Sequence, residues 1–135
     1  MSKHTHDLVC PSCEEKLLTA HEYLVNWFTH LKRELPTIHV SWAYRNQAEQ
    51  DQYFGEGKTH ARFPNSPHNQ CDLSGKPCSR ALDLFEIDKN GMAVFDRKIY
   101  EAISQKCIQQ KDEIIWGGNF KSIGDADHFQ YHPLS

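Results

Sequence analysis

Long apolar runs are missing from this 135-residue chain. No stretch approaches the roughly 20 apolar residues that a membrane-spanning helix needs. The opening residues, Met1-Ser2-Lys3-His4-Thr5-His6-Asp7, lack the apolar centre of a secretory signal. The chain is therefore expected to be made in a cytoplasm, without a signal peptide and without a membrane partner. A Lys/Arg block is missing too. The net charge is −3 with His neutral, so no nucleic-acid partner is expected. Cysteines number five, an odd count that argues against a disulfide framework in a chain without a secretory signal. Repeats and low-complexity segments are absent. The length suits one domain, residues 1–135, with one core. Oligomeric state leaves no trace in the sequence, and a monomer is the default expectation.

The patterns that are present alternate between helix and strand. Leu17, Leu18, His21, Leu24, Val25, Phe28 and Leu31 recur at three- and four-residue steps, which predicts one helix over 13–34, ended by Pro36. Ile38 to Tyr44 is a β-branched and aromatic run and reads as a strand. A short helix follows over 46–56, with Tyr53 and Phe54 facing inward. Residues 57–80 hold glycines, prolines and polar residues and read as a long loop of the kind that carries function. Ala81 to Ile87 is a strand. Asp88-Lys89-Asn90-Gly91 is a turn, and Met92 to Phe95 the returning strand. A helix over 97–110 places Ile99, Ala102, Ile103 and Cys107 on one face. Strands at 114–116 and 128–131 complete the order, with Gly117-Gly118 as a bend. The expected fold class is α+β, a small and mostly antiparallel sheet with helices packed on one face and a site in a cleft.

Three separated clusters carry chemistry: Ser66-Pro67-His68, Ser79-Arg80-Ala81-Leu82-Asp83, and Asp125-Ala126-Asp127-His128-Phe129-Gln130. Two imidazoles and one carboxylate leave a fourth position open on a tetrahedral zinc, and an additional carboxylate could serve as a base. Each residue also has an ordinary reading. Asp83 is either a ligand or a strand-end carboxylate paired with Arg80 or solvent. His128 is either a ligand or a surface imidazole. Nine histidines make chance pairings common; His4 and His6 read as a tail, and His132 is a spare imidazole. Cys10 and Cys13 have the C-x2-C spacing of zinc knuckles. With Cys71 and Cys78 they form either a second, structural zinc site or a set of reduced thiols, some buried as small apolar residues.

Taken in order, these clusters resemble the zinc D-Ala-D-Ala carboxypeptidase and L-alanyl-D-glutamate endopeptidase family, which includes vancomycin-resistance D,D-peptidases and phage endolysins. Its pattern is Ser-x-His, then Gly-x-Ala-x-Asp, then a late Asp-x-x-His followed by an apolar residue and Glu or Gln. Ser41-Trp42-Ala43-Tyr44-Arg45 with Gln47-Ala48-Glu49-Gln50 resembles the family's strand, Arg and Gln-rich helix. Trp116-Gly117-Gly118 resembles the Trp-Gly-Gly segment of phage members. The likeness covers about residues 38–132. It implies that His68, Asp83 and His128 bind zinc, that Asp125 is the catalytic base and that Arg45 steadies the oxyanion. It further implies a zinc peptidase acting on peptidoglycan stem peptides, from a phage or prophage, that reaches the wall through a separate factor such as a holin. Ser66 and Gln130 are candidate substrate contacts; Ser66 serves equally well as a cap of the turn before Pro67.

The chain also departs from the pattern. His68 and Asp83 are separated by an insertion holding Cys71 and Cys78, and Ser79 stands at the family's Gly. Asp127 competes with Asp125 for the base role. Two other functions fit part of the sequence: a non-catalytic zinc-binding or virion-assembly module that keeps the fold, and a small interaction domain stabilised by zinc on the four cysteines.

Overall fold

In a computed structural model, residues 10–59, 61–119 and 126–132 are described. Helices α1 (Pro11–Leu17) and α2 (Glu22–Glu34) lead into β1 (Ile38–Trp42), α3 (Gln47–Gly55) and a 3-10 turn (Pro67–Asn69). β2 (Ala81–Ile87), β3 (Ala93–Val94), α4 (Arg97–Gln110), β4 (Ile114–Trp116), a second 3-10 turn (Gly117–Asn119) and β5 (His128–Tyr131) follow. The sheet order is β1-β2-β5-β4, with β3 paired to β2. Every pairing is antiparallel. The fold class expected from the sequence is the one observed.

Side-chain alternation divides the sheet into two faces. Val40, Leu82, Leu84 and Phe129 point to one face and join Leu24, Phe28 and Leu31 of α2 and Ile103 of α4 in a single buried cluster. Trp27 and Tyr100 both lie against the Phe129 ring. Asp83, Phe85 and His128 belong to the other face; His68, from the loop that follows α3, lies on Asp83 and His128, and Phe85 lies beside His39 and Phe95. A register shift between Val40 and Trp42 pairs Trp42 with Asp83. The extra residue, Ser41, directs its hydroxyl to the Asp83 carbonyl at 3.2 Å. Such a bulge re-aims the strand end, and the residues after it, Ala43 and Arg45, are those that meet the site.

Local chemistry explains most boundaries. α3 starts with a capping box in which Asn46 and Glu49 satisfy each other's backbone N–H groups. α4 starts with Asp96 accepting from the Lys98 N–H and ends at Lys111 in the left-handed region, φ 58°.

Three expectations need correction. The single helix over 13–34 is two helices. Thr19 and Ala20 break away to pair with Ser79: the Ser79 N–H donates to the Thr19 carbonyl and the His21 N–H to the Ser79 carbonyl, each at 2.8 Å. His21 then caps α2, its Nδ1 accepting from the Tyr23 N–H. No Gly or Pro marks the break, because tertiary pairing makes it, and Leu18 is left 73% exposed. On α4 the inward residues are Tyr100, Ile103, Ser104 and Cys107, while Ala102 faces solvent. On α3 the buried residue is Gln50; Tyr53 and Phe54 are half-buried.

The Trp116-Gly117-Gly118 bend has a steric origin. A Cβ on Gly118 would fall 2.2 Å from the Trp116 ring, whose Nε1–H donates to the Ala126 carbonyl at 2.6 Å. The ring cannot yield without losing that bond. Gly118→Ala is expected to destabilise the protein by about 1–3 kcal/mol, the usual cost of overpacking, read as a lowered midpoint in urea denaturation.

Candidate metal centre

Six of the seven residues of β2 are buried, and Asp83 among them is 4% exposed. A carboxylate in such a strand must be paired. Asp83 Oδ1 lies 3.1 Å from His68 Nε2 and 3.2 Å from His128 Nδ1, and the two ring nitrogens are 3.2 Å apart. The three atoms form a nearly equilateral triangle. His68 Nδ1 is 2.7 Å from the Ala43 carbonyl, which only accepts, so Nδ1 carries the hydrogen and Nε2 presents its lone pair. His128 Nε2 is 2.8 Å from Gln130 Oε1; donation there leaves the Nδ1 lone pair facing inward. Three lone pairs thus converge with no proton between them. They repel one another unless a cation sits among them. Nitrogen and oxygen donors on a tetrahedral zinc at about 2.0–2.2 Å stand about 3.3 Å apart, close to the observed edges.

Burial holds the His68 imidazole below its ordinary range, against the opposing pull of Asp83. Burial alone would push the Asp83 carboxyl up; the charge and hydrogen bonds of His68 and His128 outweigh it and hold the group below the usual carboxylate range. Arg45 Nη2, 3.4 Å from Asp83 Oδ2, adds a fixed positive charge to the same cluster.

Local structure aims each donor. Ser66 caps the 3-10 turn, its Oγ accepting from the His68 N–H at 3.2 Å, and Asn69 Oδ1 accepts from the Ser66 N–H. Asn69 Nδ2 donates to the Arg45 carbonyl at 2.9 Å, and the Arg45 N–H to the His68 carbonyl at 2.8 Å. The turn is thereby fixed to the chain leaving β1. The Arg45 side chain donates through Nη2 to Asp83 Oδ2 at 3.4 Å and through Nη1 to Gln50 Oε1 at 3.3 Å. Its guanidinium lies 4.4 Å from the Tyr53 ring centre and 5.4 Å from that of Trp42, within cation–π range.

The insertion between His68 and Asp83 folds on itself. Asp72 Oδ1 accepts from the Ser74 and Lys76 N–H groups, Gly75 adopts φ 85°, and the Cys78 N–H closes the loop on the Gln70 carbonyl at 2.9 Å. Two residues 15 apart in sequence therefore meet at 3.1 Å. Ser79 in place of Gly also has a use. Its hydroxyl lies 2.9 Å from the Ala43 carbonyl, the one that receives His68, and 2.7 Å from that of Ala81.

The four cysteines do not come together. Cys10 and Cys13 converge instead with His39. Cys71 is exposed and Cys78 half-buried in the insertion, and among the described residues neither joins a group of three metal-ligand side chains. Burial pushes the Cys13 thiol up to about 12. His39, read from sequence only as part of a strand, was the missed member; a polar residue between Ile38 and Val40 is its only signal. Gln50, Asn69 and the Ala43 carbonyl were missed as supports of the triangle, since such roles have no motif. Asp125 lies outside the described residues. Asp127 is half-buried in the turn before β5, and its carbonyl accepts from the Leu84 N–H.

No family model and no curated protein matches the chain. Among solved structures, the L-Ala D-Glu endopeptidase ChiX of Serratia marcescens resembles it with a TM-score of 0.69 and 22% sequence identity, over 90% of this chain and 86% of that one. The likeness is one of fold. Fold and site together define an α+β domain with a buried His-Asp-His cluster suited to a metal ion.

Arg45 and Asp83 are both buried, so removing one partner strands the other. Arg45→Met is expected to cost about 3 kcal/mol on that principle, measured by urea denaturation, and Arg45→Lys should recover only part of it because Lys lacks the two-pronged donor.

Proposed function

We propose that this domain is a zinc-dependent peptidase that hydrolyses a peptide bond in peptidoglycan stem peptides. The observation that carries the proposal is the triangle of His68 Nε2, Asp83 Oδ1 and His128 Nδ1, three inward lone pairs at 3.1–3.2 Å. The fold likeness to an L-Ala D-Glu endopeptidase and the order of the sequence motifs lend it support. Two imidazoles and one carboxylate are a donor set that zinc accepts while keeping a position free.

In this reading the bound metal supplies Lewis-acid polarisation of the scissile carbonyl. The remaining work falls to the chain. Ala43 and Gln130 hold the two imidazoles in their donor tautomers. Gln130, a candidate substrate contact by sequence, acts here through His128, and Ser66 acts as the cap of the His68 turn. Arg45 is implied by the family likeness to face the oxyanion. With its guanidinium engaged by Asp83 and Gln50, it acts first as a positioning residue that turns Asp83 Oδ1 toward the metal. Asp125 takes the proton of the attacking water and returns it to the leaving amine. Substrate would lie in a cleft of about 230 Å³ beside Gln130, lined also by Asn65, Gln70 and Arg80. Arg80 offers that cleft a cation for a stem-peptide carboxylate. A phage or prophage lysis role belongs to the same proposal.

Mass spectrometry of stem-peptide products tests activity and bond choice together. Wild type should release one defined fragment and lose activity on chelation. Asp125→Ala should lower kcat by at least about 100-fold with metal content unchanged. Full activity in that variant would remove Asp125 from the base role, and metal without turnover on any stem peptide would favour a non-catalytic module. Gln130→Leu is expected to weaken metal affinity about 10–100-fold, read by competition with a chromophoric chelator.

A further inference from the structure

A second cluster lies outside the site just described. Cys10 Sγ and Cys13 Sγ are 3.1 Å apart, and each is 3.4 Å from His39 Nδ1. All three side chains are fully buried. They come from separate parts of the chain: the cysteines bracket the first turn of α1, and His39 lies on β1. Sulfur and imidazole donors on a tetrahedral zinc, at about 2.3 and 2.0–2.1 Å, stand about 3.5 Å apart, so both sulfur–nitrogen edges already have the required length. The sulfur–sulfur edge must open by several tenths of an ångström, within reach of a small side-chain rotation.

The surroundings of the sulfurs point the same way. Cys10 Sγ receives the Cys13 N–H at 3.4 Å, and Cys13 Sγ receives the Val40 N–H at 3.3 Å. The second bond uses a donor on the outer edge of β1, where no strand pairs among the described residues. Lys32, a buried cation, donates to the Pro36 and Ile38 carbonyls and lies 3.5 Å from His39 Nε2. One backbone N–H thus faces each sulfur; burial keeps the Cys13 thiol protonated in the absence of an ion, so binding a metal here releases protons. Two buried thiolates with an imidazole are a soft donor set that selects zinc or a similar cation over magnesium or calcium. A redox pair is the competing use of a C-x2-C spacing, but a catalytic thiol needs partial exposure, which neither sulfur has.

We infer that Cys10, Cys13 and His39 form a structural metal site, distinct from the His-Asp-His centre, that fastens α1 to the outer edge of β1. It takes a thiophilic divalent ion on three protein donors; because all three side chains are fully buried, substrate has no access to the remaining position, and the metal serves folding and not turnover.

Cobalt(II) added to the reduced, metal-free full-length protein provides the test. Thiolate ligation gives a sulfur-to-cobalt charge-transfer absorption in the near ultraviolet, whereas a centre of His and Asp gives none, so the two sites report separately. The band should appear in wild type at one equivalent, persist in His68→Ala, and vanish in Cys10→Ser and Cys13→Ser. Zinc content should fall from two ions per chain to one in either Cys→Ser variant. If those variants do not fold, wild type and His68→Ala still decide the matter. Absence of the band from both, or a Cys10–Cys13 disulfide whose reduction restores no cobalt binding, would overturn the inference. The band without stem-peptide hydrolysis would sink the peptidase proposal and leave this one standing.

Discussion

A carboxylate buried within a strand covered on both faces is the constraint that organises this molecule. Left alone, an ionised group in that position would unfold a domain of this size, since the effective cost of burying an ion is several kcal/mol. Every neighbour of Asp83 answers it. Oδ2 receives Arg45, Oδ1 faces two imidazoles, and the backbone carbonyl receives Ser41 from the bulge opposite. The bulge in β1, the turn that carries His68 and the chain after β1 meet at this residue. Shape and charge are thus solved together, and the solution leaves three lone pairs aimed at one point.

β1 connects this arrangement to the rest of the fold. Its inner edge pairs with β2, and the chain beyond its end supplies the Ala43 carbonyl that orients His68. Its outer edge, which would otherwise present unpaired backbone groups, is covered by side chains: Lys32 on the Ile38 carbonyl and Cys13 on the Val40 N–H. A displacement of β1 would therefore be felt at both clusters.

The sequence made the strands, the helices α3 and α4, and the meeting of His68, Asp83 and His128 legible, because alternation and motif order both act over short distances. What it hid depended on contacts between distant segments. The break between α1 and α2 arises from pairing with Ser79, some sixty residues away, and no local residue announces it. By spacing, Cys10 and Cys13 group with the two loop cysteines, whereas the fold brings up His39. Gln50 and Asn69 look like ordinary surface amides until the chain after β1 is seen to need their hydrogen bonds. Polar residues that support a site carry no signature because any nearby donor or acceptor of the right length would serve.

The loop from Gln70 to Cys78 stands outside all of this. Its ends are tied to each other, its tip is held by the Asp72 carboxylate, and Leu73 at that tip is fully exposed. Lengthening such a loop costs little, so the number of residues between His68 and Asp83 is nearly free to drift while their separation in space stays fixed. A search that relies on fixed spacing between the two is blind to a chain built this way. Proteins carrying the same arrangement are better recognised by the distance between an imidazole and a carboxylate than by counting along the sequence.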